Sequence, residues 1–337
     1  MLSRITLLLC CFVVFAGGAP ARAAAPSNQS VVDALTKAHA AVVGVQVTAT
    51  PGSRSAESLG ARRAGSGVVI GPDGLILTIG YLMLEAEAIQ IVTQDNKTLP
   101  ARPVAYDLAT GFGLLRPLLP LRGVAPVPLG TQGDLKDGEP LMAAIGGEDG
   151  GVAITQLVGK RPFSGYWEYH IESALFTSPP IGNHSGAPLF NQRGELLGIG
   201  SLVVSNTGTE PGGRPGNMFV PVDLLKPILA ELQQNGMSQA SRRPWLGVTS
   251  SEVGGQVRVV RVNKDSPAEA AGLRGGDVVL AVDGAQVGSL EAFYKKVWSH
   301  PQPNAEIKLT VRQGGEVKTV TIKAVDRMTT MAKPAGI

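Results

Sequence analysis

The stretch GNHSGAPLFN, residues 182–191, places a serine beside glycine at the start of a short apolar run. Glycine allows the chain to turn tightly, and the run that follows is typical of a strand. Ser185 is therefore predicted to lie in a tight loop at the start of a strand. A serine hydroxyl is a weak nucleophile until a histidine takes its proton and an acid orients that histidine. What this loop does depends on whether the chain supplies those two partners.

The composition of the chain favours many short strands joined by turns. The 337 residues are enough for two or three domains, and they include 43 glycines, 24 prolines and only 5% aromatic residues. Apolar runs separated by Gly and Pro turns recur over residues 42–222, which predicts two packed β-barrels. Residues 51–66 are predicted to form a long surface loop, and residues 224–236 a closing helix that ends at Gly236.

The first 23 residues have the pattern of a secretory signal. A basic start at Arg4 precedes the 14-residue apolar stretch Ile5–Gly18, and an A-x-A cleavage pattern follows at residues 21–23. The apolar stretch is short for a membrane span, but an uncleaved anchor remains an alternative, and lipid attachment at Cys10 or Cys11 is a weaker one. No other apolar run is long enough to span a bilayer. We therefore expect an exported protein, periplasmic or membrane-anchored by this segment.

Cleavage would also change the chemistry that is available to the chain. It removes both cysteines, which excludes disulfides, a thiol nucleophile and a cysteine zinc site. It leaves 28 basic residues against 27 acidic ones, a balance that gives no indication of a nucleic-acid partner. No metal and no cofactor are expected, because the four histidines show no ligand spacing: His39, His170, His184 and His300.

The serine loop and the segments around it resemble a known family. SGAPL, residues 185–189, is similar to the nucleophile loop of trypsin-fold proteases, whose usual form is GNSGGPL. The chain from residue 30 to about residue 324 resembles the HtrA (DegP-like) family, in which a trypsin-like domain precedes a PDZ domain. The resemblance implies a mostly β fold, with a trypsin-like double six-stranded β-barrel followed by a smaller α+β PDZ domain. The expected boundaries are residues 30–236 for the first domain, 237–243 for a linker, 244–324 for the PDZ domain and 325–337 for a flexible tail.

Two of the three triad positions of that family are replaced in this chain. The histidine motif DGYILTNNHVV matches DGLILTIGYLM, residues 73–83, so Tyr81 stands at the histidine position. The acid motif TDLAVLK matches TGFGLLR, residues 110–116, so Gly111 stands at the acid position. A tyrosine with a pKa near 10 is not a ready proton acceptor at neutral pH, and glycine has no side chain to orient a base. The resemblance thus implies a nucleophile, Ser185, without its partners.

Other residues near the serine loop leave alternatives open. The oxyanion loop would contain Asn183 and His184, with backbone N–H groups of Asn183 and Ser185 as donors, but this loop is one residue shorter than the family's TDAAINPGNS. His184 or Lys160 could substitute for the missing base. Tyr81 and Gly111 could instead be a packed aromatic and a turn residue. Asp107, four residues before Gly111, is interpreted as a turn or cap residue.

The C-terminal part carries the stronger match. WLGV, residues 245–248, resembles the carboxylate-binding loop of the family's PDZ domain, and residues 266–279 resemble its motif SPAxxAGLxxGDVI. Backbone N–H groups of Leu246, Gly247 and Val248 are expected to bind the C-terminal carboxylate of a peptide that adds as a strand beside residues 248–251. The arginines before this loop, Arg242 and Arg243, either attract that carboxylate or are solvated linker residues.

Three functions follow from the resemblance. The first is a secreted pseudoprotease that binds C-terminal or unfolded peptide segments through its PDZ domain, as a scaffold or quality-control protein of the cell envelope. The second is an active serine endopeptidase with a rearranged site that degrades misfolded proteins. The third is a structural subunit of a homo-trimer, or of a mixed oligomer with an active relative, assembled through residues 30–66.

Overall fold

A computed structural model describes residues 27–148, 150–209 and 212–331. The predicted signal segment lies outside these residues, as does the end of the predicted tail. None of the helices within the described ranges is both long enough and apolar enough to cross a bilayer.

The first barrel is built from six antiparallel strands. Helix α1 (Asn28–Ala40) leads into it, and the Ser27 side chain caps that helix by accepting from the backbone N–H of Ser30. The strands close in the order β1-β2-β3-β6-β5-β4. Their bounds are Val42–Ala49 for β1, Arg62–Val69 for β2, Ile76–Ile79 for β3, Ala86–Val92 for β4, Thr98–Tyr106 for β5 and Phe112–Pro117 for β6.

The region between β1 and β2 differs from the prediction. Residues 51–66 were expected to form one surface loop, but they contain helix α2 (Arg54–Leu59) and the first half of β2. The Arg63 side chain fastens this segment, since its Nη1 donates to the Leu84 carbonyl at 2.6 Å and its Nη2 to Ser55 Oγ at 2.7 Å. The Gly-, Ser- and Arg-rich composition of this segment does not indicate these hydrogen bonds, because the Leu84 partner lies outside the segment.

The second barrel repeats the arrangement. Its six strands close in the order β10-β11-β12-β9-β8-β7, so the trypsin-like double six-stranded barrel is confirmed. The two barrels share one apolar core, which includes Phe112 from the first and Phe176, Phe190 and Met218 from the second. The bounds are Pro140–Ile145 for β7, Gly151–Gly165 for β8, Tyr169–Ser178 for β9, Pro188–Phe190 for β10, Leu196–Val204 for β11 and Gly216–Pro221 for β12.

The closing helix is shorter than predicted. Residues 225–228 form turns after a 3₁₀ turn at Val222–Leu224, and the helix α3 runs only from Leu229 to Asn235. Its end is as predicted, because Gly236 adopts φ 77° at the C-cap. A Pro at position 227 explains the late start, since proline disfavours the helical conformation in the residue before it.

A smaller α+β domain follows. Its main sheet has the strand order β14-β15-β16-β18-β19, which leaves β14 at one edge. Helix α5 (Leu290–Val297) is capped by Ser289 as predicted and buries the face made of Leu290, Phe293, Tyr294 and Val297. The other bounds are Pro244–Trp245 for β13, Val248–Val253 for β14, Gln256–Val262 for β15, Pro267–Ala270 for α4, Val278–Val282 for β16, Ala285–Gln286 for β17, Glu306–Gln313 for β18, Glu316–Lys323 for β19 and Val325–Asp326 for β20.

The predicted tail begins later than expected. Residues from 325 onward were expected to be flexible, but β20 pairs with β13, with Trp245 opposite Val325, and a 3₁₀ turn follows at Arg327–Thr330. The strand therefore returns the chain end to the start of the second domain. Residues 332–337 lie outside the described residues.

Candidate active site and peptide groove

Ser185 and Tyr81 lie in direct contact. Tyr81 is in a 3₁₀ turn, Gly80–Met83, that follows β3, and its Oη lies 2.6 Å from Ser185 Oγ and 3.1 Å from the Ser201 carbonyl oxygen. A carbonyl can only accept, so Tyr81 donates its single hydroxyl hydrogen to Ser201 and accepts from Ser185 when both bonds form. The residue at the predicted histidine position thus occupies the place where a base would meet the serine.

The electrostatics of this pair oppose base catalysis. Burial raises the pKa of Tyr81, and the hydrogen bond with Ser185 offsets this effect only in part. A phenol accepts a proton efficiently only as phenolate, which is rare at neutral pH when the pKa lies above 10. Tyr81 therefore orients the Ser185 hydroxyl without activating it.

Gly111 lies beside the same turn but offers only its backbone. Its carbonyl accepts from Gly80 N–H at 2.7 Å, and its own N–H donates to the Asp107 carbonyl at 2.7 Å. The residue has φ 84°, a left-handed conformation that favours glycine, and an added Cβ would lie 3.4 Å from Tyr169 Oη. The structure thus brings the predicted acid position next to Tyr81, and that position is a turn with no carboxylate.

The two suggested substitute bases have other partners. Burial lowers the pKa of His184, and its ring is hydrogen-bonded to the backbone of Ser201. Lys160 Nζ donates to the carbonyls of Gln132 and Leu135, at 3.0 and 3.1 Å. Among the side chains of the described residues, Tyr81 is the one hydrogen-bonded to Ser185 Oγ. In the described residues, neither alternative base is hydrogen-bonded to Ser185 Oγ.

Two of the remaining histidines have hydrogen-bond partners away from Ser185. His170 Nδ1 is 2.9 Å from Ser164 Oγ, and His300 Nε2 is 2.8 Å from Asp283 Oδ2 in the second domain. His170 also comes together with Glu172 and Glu291, a group of metal-ligand types. Lys295 Nζ lies between the two carboxylates, at 2.8 and 2.7 Å, so a side-chain cation already binds both of them.

The loop that carries Ser185 is tied to both barrels. The Ser185 carbonyl accepts from Ser66 N–H at 2.8 Å, and Gly186 N–H donates to the Gly200 carbonyl at 2.8 Å. Asn183 adopts φ 44°, which turns the chain sharply just before the serine. The assignment of Asn183 and His184 to an oxyanion loop stays a prediction.

Asp107 has a structural role that extends beyond the turn in which it lies. It is fully buried, and its carboxylate accepts from the Thr110 N–H and Oγ1, at 3.0 and 2.6 Å, as expected of a turn residue. The same carboxylate accepts from Ser238 Oγ and Ser241 Oγ, both at 2.5 Å. Burial raises its pKa, but the hydrogen bonds from the two serines and Thr110 outweigh this, and the pKa is below the usual range. The polar linker is thereby fixed to the first domain.

The predicted carboxylate-binding loop binds a carboxylate of this chain. The N–H groups of Leu246, Gly247 and Val248 donate to the side chain of Glu168, at 3.0, 2.7 and 3.0 Å. Gly247 has φ 85°, and an added Cβ would lie 2.2 Å from Ser266 Cβ, so only glycine fits this loop. Burial raises the pKa of Glu168, although the three backbone hydrogen bonds act in the opposite direction. The sequence gives no signal for this contact, which joins residues about eighty positions apart.

One of the two arginines before the loop is not a solvated linker residue. The Arg243 guanidinium stacks on the Trp298 ring, 3.6 Å from its centroid, and donates to the carbonyls of Leu108 and Glu168, both at 3.3 Å. Burial lowers its pKa to about 10. The interpretation as a solvated residue is wrong for Arg243, and it fits only the exposed Arg242.

Comparison with known proteins agrees with both halves of the fold. The sequence pattern of the trypsin-like peptidase domain matches residues 65–199, and that of the PDZ domain matches residues 244–324. The chain therefore combines a trypsin-like peptidase domain with a PDZ domain, and its homologues include DegP-like proteins. The resemblance seen in the sequence is therefore confirmed.

Curated relatives in the family are longer than this chain. A DegP-like protein of Halomonas elongata, described as a probable periplasmic serine endoprotease, is 31% identical over 302 residues, which cover 84% of this chain and 60% of the relative. A protein of Hahella chejuensis with the same description is 31% identical over 277 residues, 76% of this chain and 56% of the relative. The chain thus spans less than two thirds of the length of these relatives.

Solved HtrA structures share the fold. The HtrA-type protease AlgW with a tripeptide is 22% identical, with a TM-score of 0.55, and the match covers 92% of this chain and 99% of that one. The serine endoprotease from Yersinia pestis is 23% identical, with a TM-score of 0.52, and the match covers 90% and 98%. The shared two-domain arrangement extends over nearly the whole described chain.

Proposed function

We propose that this HtrA-type chain is a pseudoprotease that binds C-terminal or unfolded peptide segments through its PDZ domain. The observation that carries the proposal is the hydrogen bond of 2.6 Å between Tyr81 Oη and Ser185 Oγ. It places a neutral phenol, with a raised pKa, where a general base would have to act. The serine keeps its loop and loses the chemistry that makes it a nucleophile.

The expected loss of activity is large. A serine hydrolase needs its base both to take the serine proton and to return a proton to the leaving group. Removal of the triad histidine in another serine protease lowers turnover by roughly 10⁶-fold. This chain lacks the acid as well, since Gly111 contributes only backbone groups at that point.

The PDZ domain supports the binding half of the proposal. Three consecutive N–H groups, those of Leu246, Gly247 and Val248, converge on one carboxylate, which is the chemistry required to hold a peptide C-terminus. Strand β14 lies at the edge of its sheet and can accept a further strand. The expected partners are peptide or protein C-termini.

The location and assembly of the protein complete the proposal. The N-terminal signal pattern and the periplasmic description of the relatives support a periplasmic site of action. A homo-trimer, or a mixed oligomer with an active relative, would assemble through residues 30–66. In the mixed oligomer, the active relative would supply the proteolysis that this chain lacks. The proposed role is that of a scaffold or quality-control protein in the envelope.

Peptide binding tests the PDZ half of the proposal. Peptides with free C-termini are expected to bind the full chain, and the same peptides with amidated C-termini to bind at least about tenfold more weakly, because the amide lacks the charge that the loop stabilises. Fluorescence anisotropy on a peptide set with both types of terminus gives the comparison. Equal binding of the two types, or no binding at all, would contradict this role.

The alternative function is an active serine endopeptidase with a rearranged site. Two observations support this alternative. Ser185 is retained in its loop, and the curated relatives are described as probable serine endoproteases. It requires a base that reaches Ser185 in another conformation, for which His184 is the nearest candidate in sequence. Cleavage and labelling experiments on Ser185 separate the two functions.

Introducing a histidine and an aspartate at the two replaced triad positions is not expected to restore proteolytic activity. Tyr81→His with Gly111→Asp supplies the missing residue types, but Gly111 has φ 84°, and any other residue there costs about 1 kcal/mol or more in backbone strain. The double variant is therefore expected to unfold at lower urea than the parent and to stay at background in a casein assay. Tyr81→His alone is the matched control, and activity comparable to that of a complete protease in the double variant would contradict the expected strain at Gly111.

A further inference from the structure

The turn between β8 and β9 lies in the groove of the PDZ domain. This turn, Gly165–Glu168, sits between the edge strand β14 and helix α5. Ser250 N–H, in β14, donates to the Tyr166 carbonyl at 2.9 Å. Tyr294 Oη, in α5, donates to the Gly165 carbonyl at 2.8 Å and accepts from Glu168 N–H at 3.3 Å. Both walls of the groove are therefore in contact with the first domain.

The turn has the direction and register of a bound peptide. The Tyr166 carbonyl accepts from Ser250 N–H, and the side chain of Glu168, two residues later, reaches residues 246–248 at the start of β14. The segment thus runs antiparallel to β14 and presents a carboxylate to the loop at its far end. A peptide that adds to a PDZ edge strand is oriented in the same way, with its terminal carboxylate in the loop.

The contact is buried and supported on both sides. Glu168 is 4% exposed, and its backbone has φ 59°, a conformation that is costly for a residue other than glycine and persists only when its surroundings impose it. Arg243 donates to the Glu168 carbonyl, and Lys295 of α5 binds Glu172 of β9 at 2.8 Å. These contacts hold the hairpin against the second domain.

We propose that residues Tyr166–Glu168 are an intramolecular ligand of the PDZ groove, with the Glu168 side chain in the place of a peptide C-terminus. An external peptide then binds only when this segment leaves, so its apparent affinity is lowered by the fraction of molecules in which the groove is open. The inference rests on the proposed peptide-binding function for its consequence, but the occupancy of the groove is testable without any peptide.

Hydrogen exchange of the peptide-free protein tests the occupancy. The amides of residues 246–248 are expected to be protected in the parent and to exchange at least about tenfold faster in Glu168→Ala, which removes the acceptor. Glu306→Ala is the matched control, because it removes an exposed carboxylate of the second domain that binds Lys323 and not the loop. Glu168→Gln serves as a second variant of nearly unchanged size. Equal exchange at these amides in the parent and both Glu168 variants would overturn the inference.

Peptide binding tests the competition. The probe is a labelled pentapeptide, Ser-Gly-Tyr-Trp-Val, which copies residues 164–167 and ends in a free carboxylate at the position of Glu168. It is expected to bind Glu168→Ala roughly tenfold or more tightly than the parent and to bind Glu306→Ala like the parent. Identical affinities for the parent and Glu168→Ala would overturn the competition.

The two experiments separate the inference from the proposed function. Fast exchange in Glu168→Ala, with no binding of the probe or of any free C-terminus by either protein, would confirm the intramolecular contact and refute the peptide-binding function. Peptide binding that is equal in both proteins, with unchanged exchange, would refute the intramolecular ligand and leave the function standing.

Discussion

Unfolded casein is expected to remain intact when incubated with this protein, and Ser185→Ala is expected to give the same background rate. The reason is the pairing of Ser185 with a neutral Tyr81 at 2.6 Å, in place of a histidine that could take its proton. The expected turnover is roughly 10⁶-fold below that of a complete serine protease. Release of labelled fragments from casein over many hours measures this difference.

The comparison needs an internal control for contaminating protease. The parent and Ser185→Ala carry the same contaminants when they are purified in parallel, so only cleavage that disappears in Ser185→Ala belongs to this chain. Such serine-dependent cleavage would mean that a base reaches Ser185 in a conformation other than the one described, and it would favour the alternative function.

Asp107→Ala is expected to destabilise the protein by about 3 kcal/mol or more. The substitution leaves the hydroxyls of Ser238 and Ser241 and the groups of Thr110 without their buried acceptor, and each unsatisfied buried group costs about 1–3 kcal/mol. Urea unfolding at neutral pH measures the loss. Asp73→Ala is the matched control, because its ion pair with Arg116 is partly exposed and worth about 0–1 kcal/mol. Equal destabilisation by the two changes would contradict the anchoring role of Asp107.

The Asp107 carboxylate also makes the unfolding free energy depend on pH. Because the folded-state pKa of Asp107 is depressed, its contribution is present above the unfolded value of about 3.9 and is lost as pH falls through the folded pKa. The difference in unfolding free energy between the parent and Asp107→Ala should therefore shrink below about pH 4. A difference that grows on acidification would show that the sign is wrong.

Much of the fold follows from local sequence patterns. Short apolar runs separated by Gly and Pro turns predict the two barrels, and the cap at Ser289 with the apolar face of α5 predicts that helix. Two of the errors lie where anchoring comes from distant residues. Arg63 orders the region after β1, and the pairing of β20 with β13 orders the start of the tail.

The candidate site is predicted in its residue types and missed in its contacts. Motif alignment places Tyr81 and Gly111 at the partner positions of Ser185. The structure brings Tyr81 into contact with Ser185, and Gly111 is hydrogen-bonded to Gly80, the residue before Tyr81. The binding of Glu168 to the loop at residues 246–248 could not be predicted, because neither periodicity nor motif spacing indicates a contact between domains. The loop's preference for a carboxylate was predictable, and the carboxylate that fills it was not.

Labelling with a fluorophosphonate, read by intact mass, tests the central claim most directly, since this probe reacts with a serine only when the serine is activated. The parent and Ser185→Ala are both expected to keep their unmodified mass under conditions that label a complete serine protease fully. A single adduct on the parent that maps to Ser185 and is absent from Ser185→Ala would contradict the account and show that this serine is a working nucleophile.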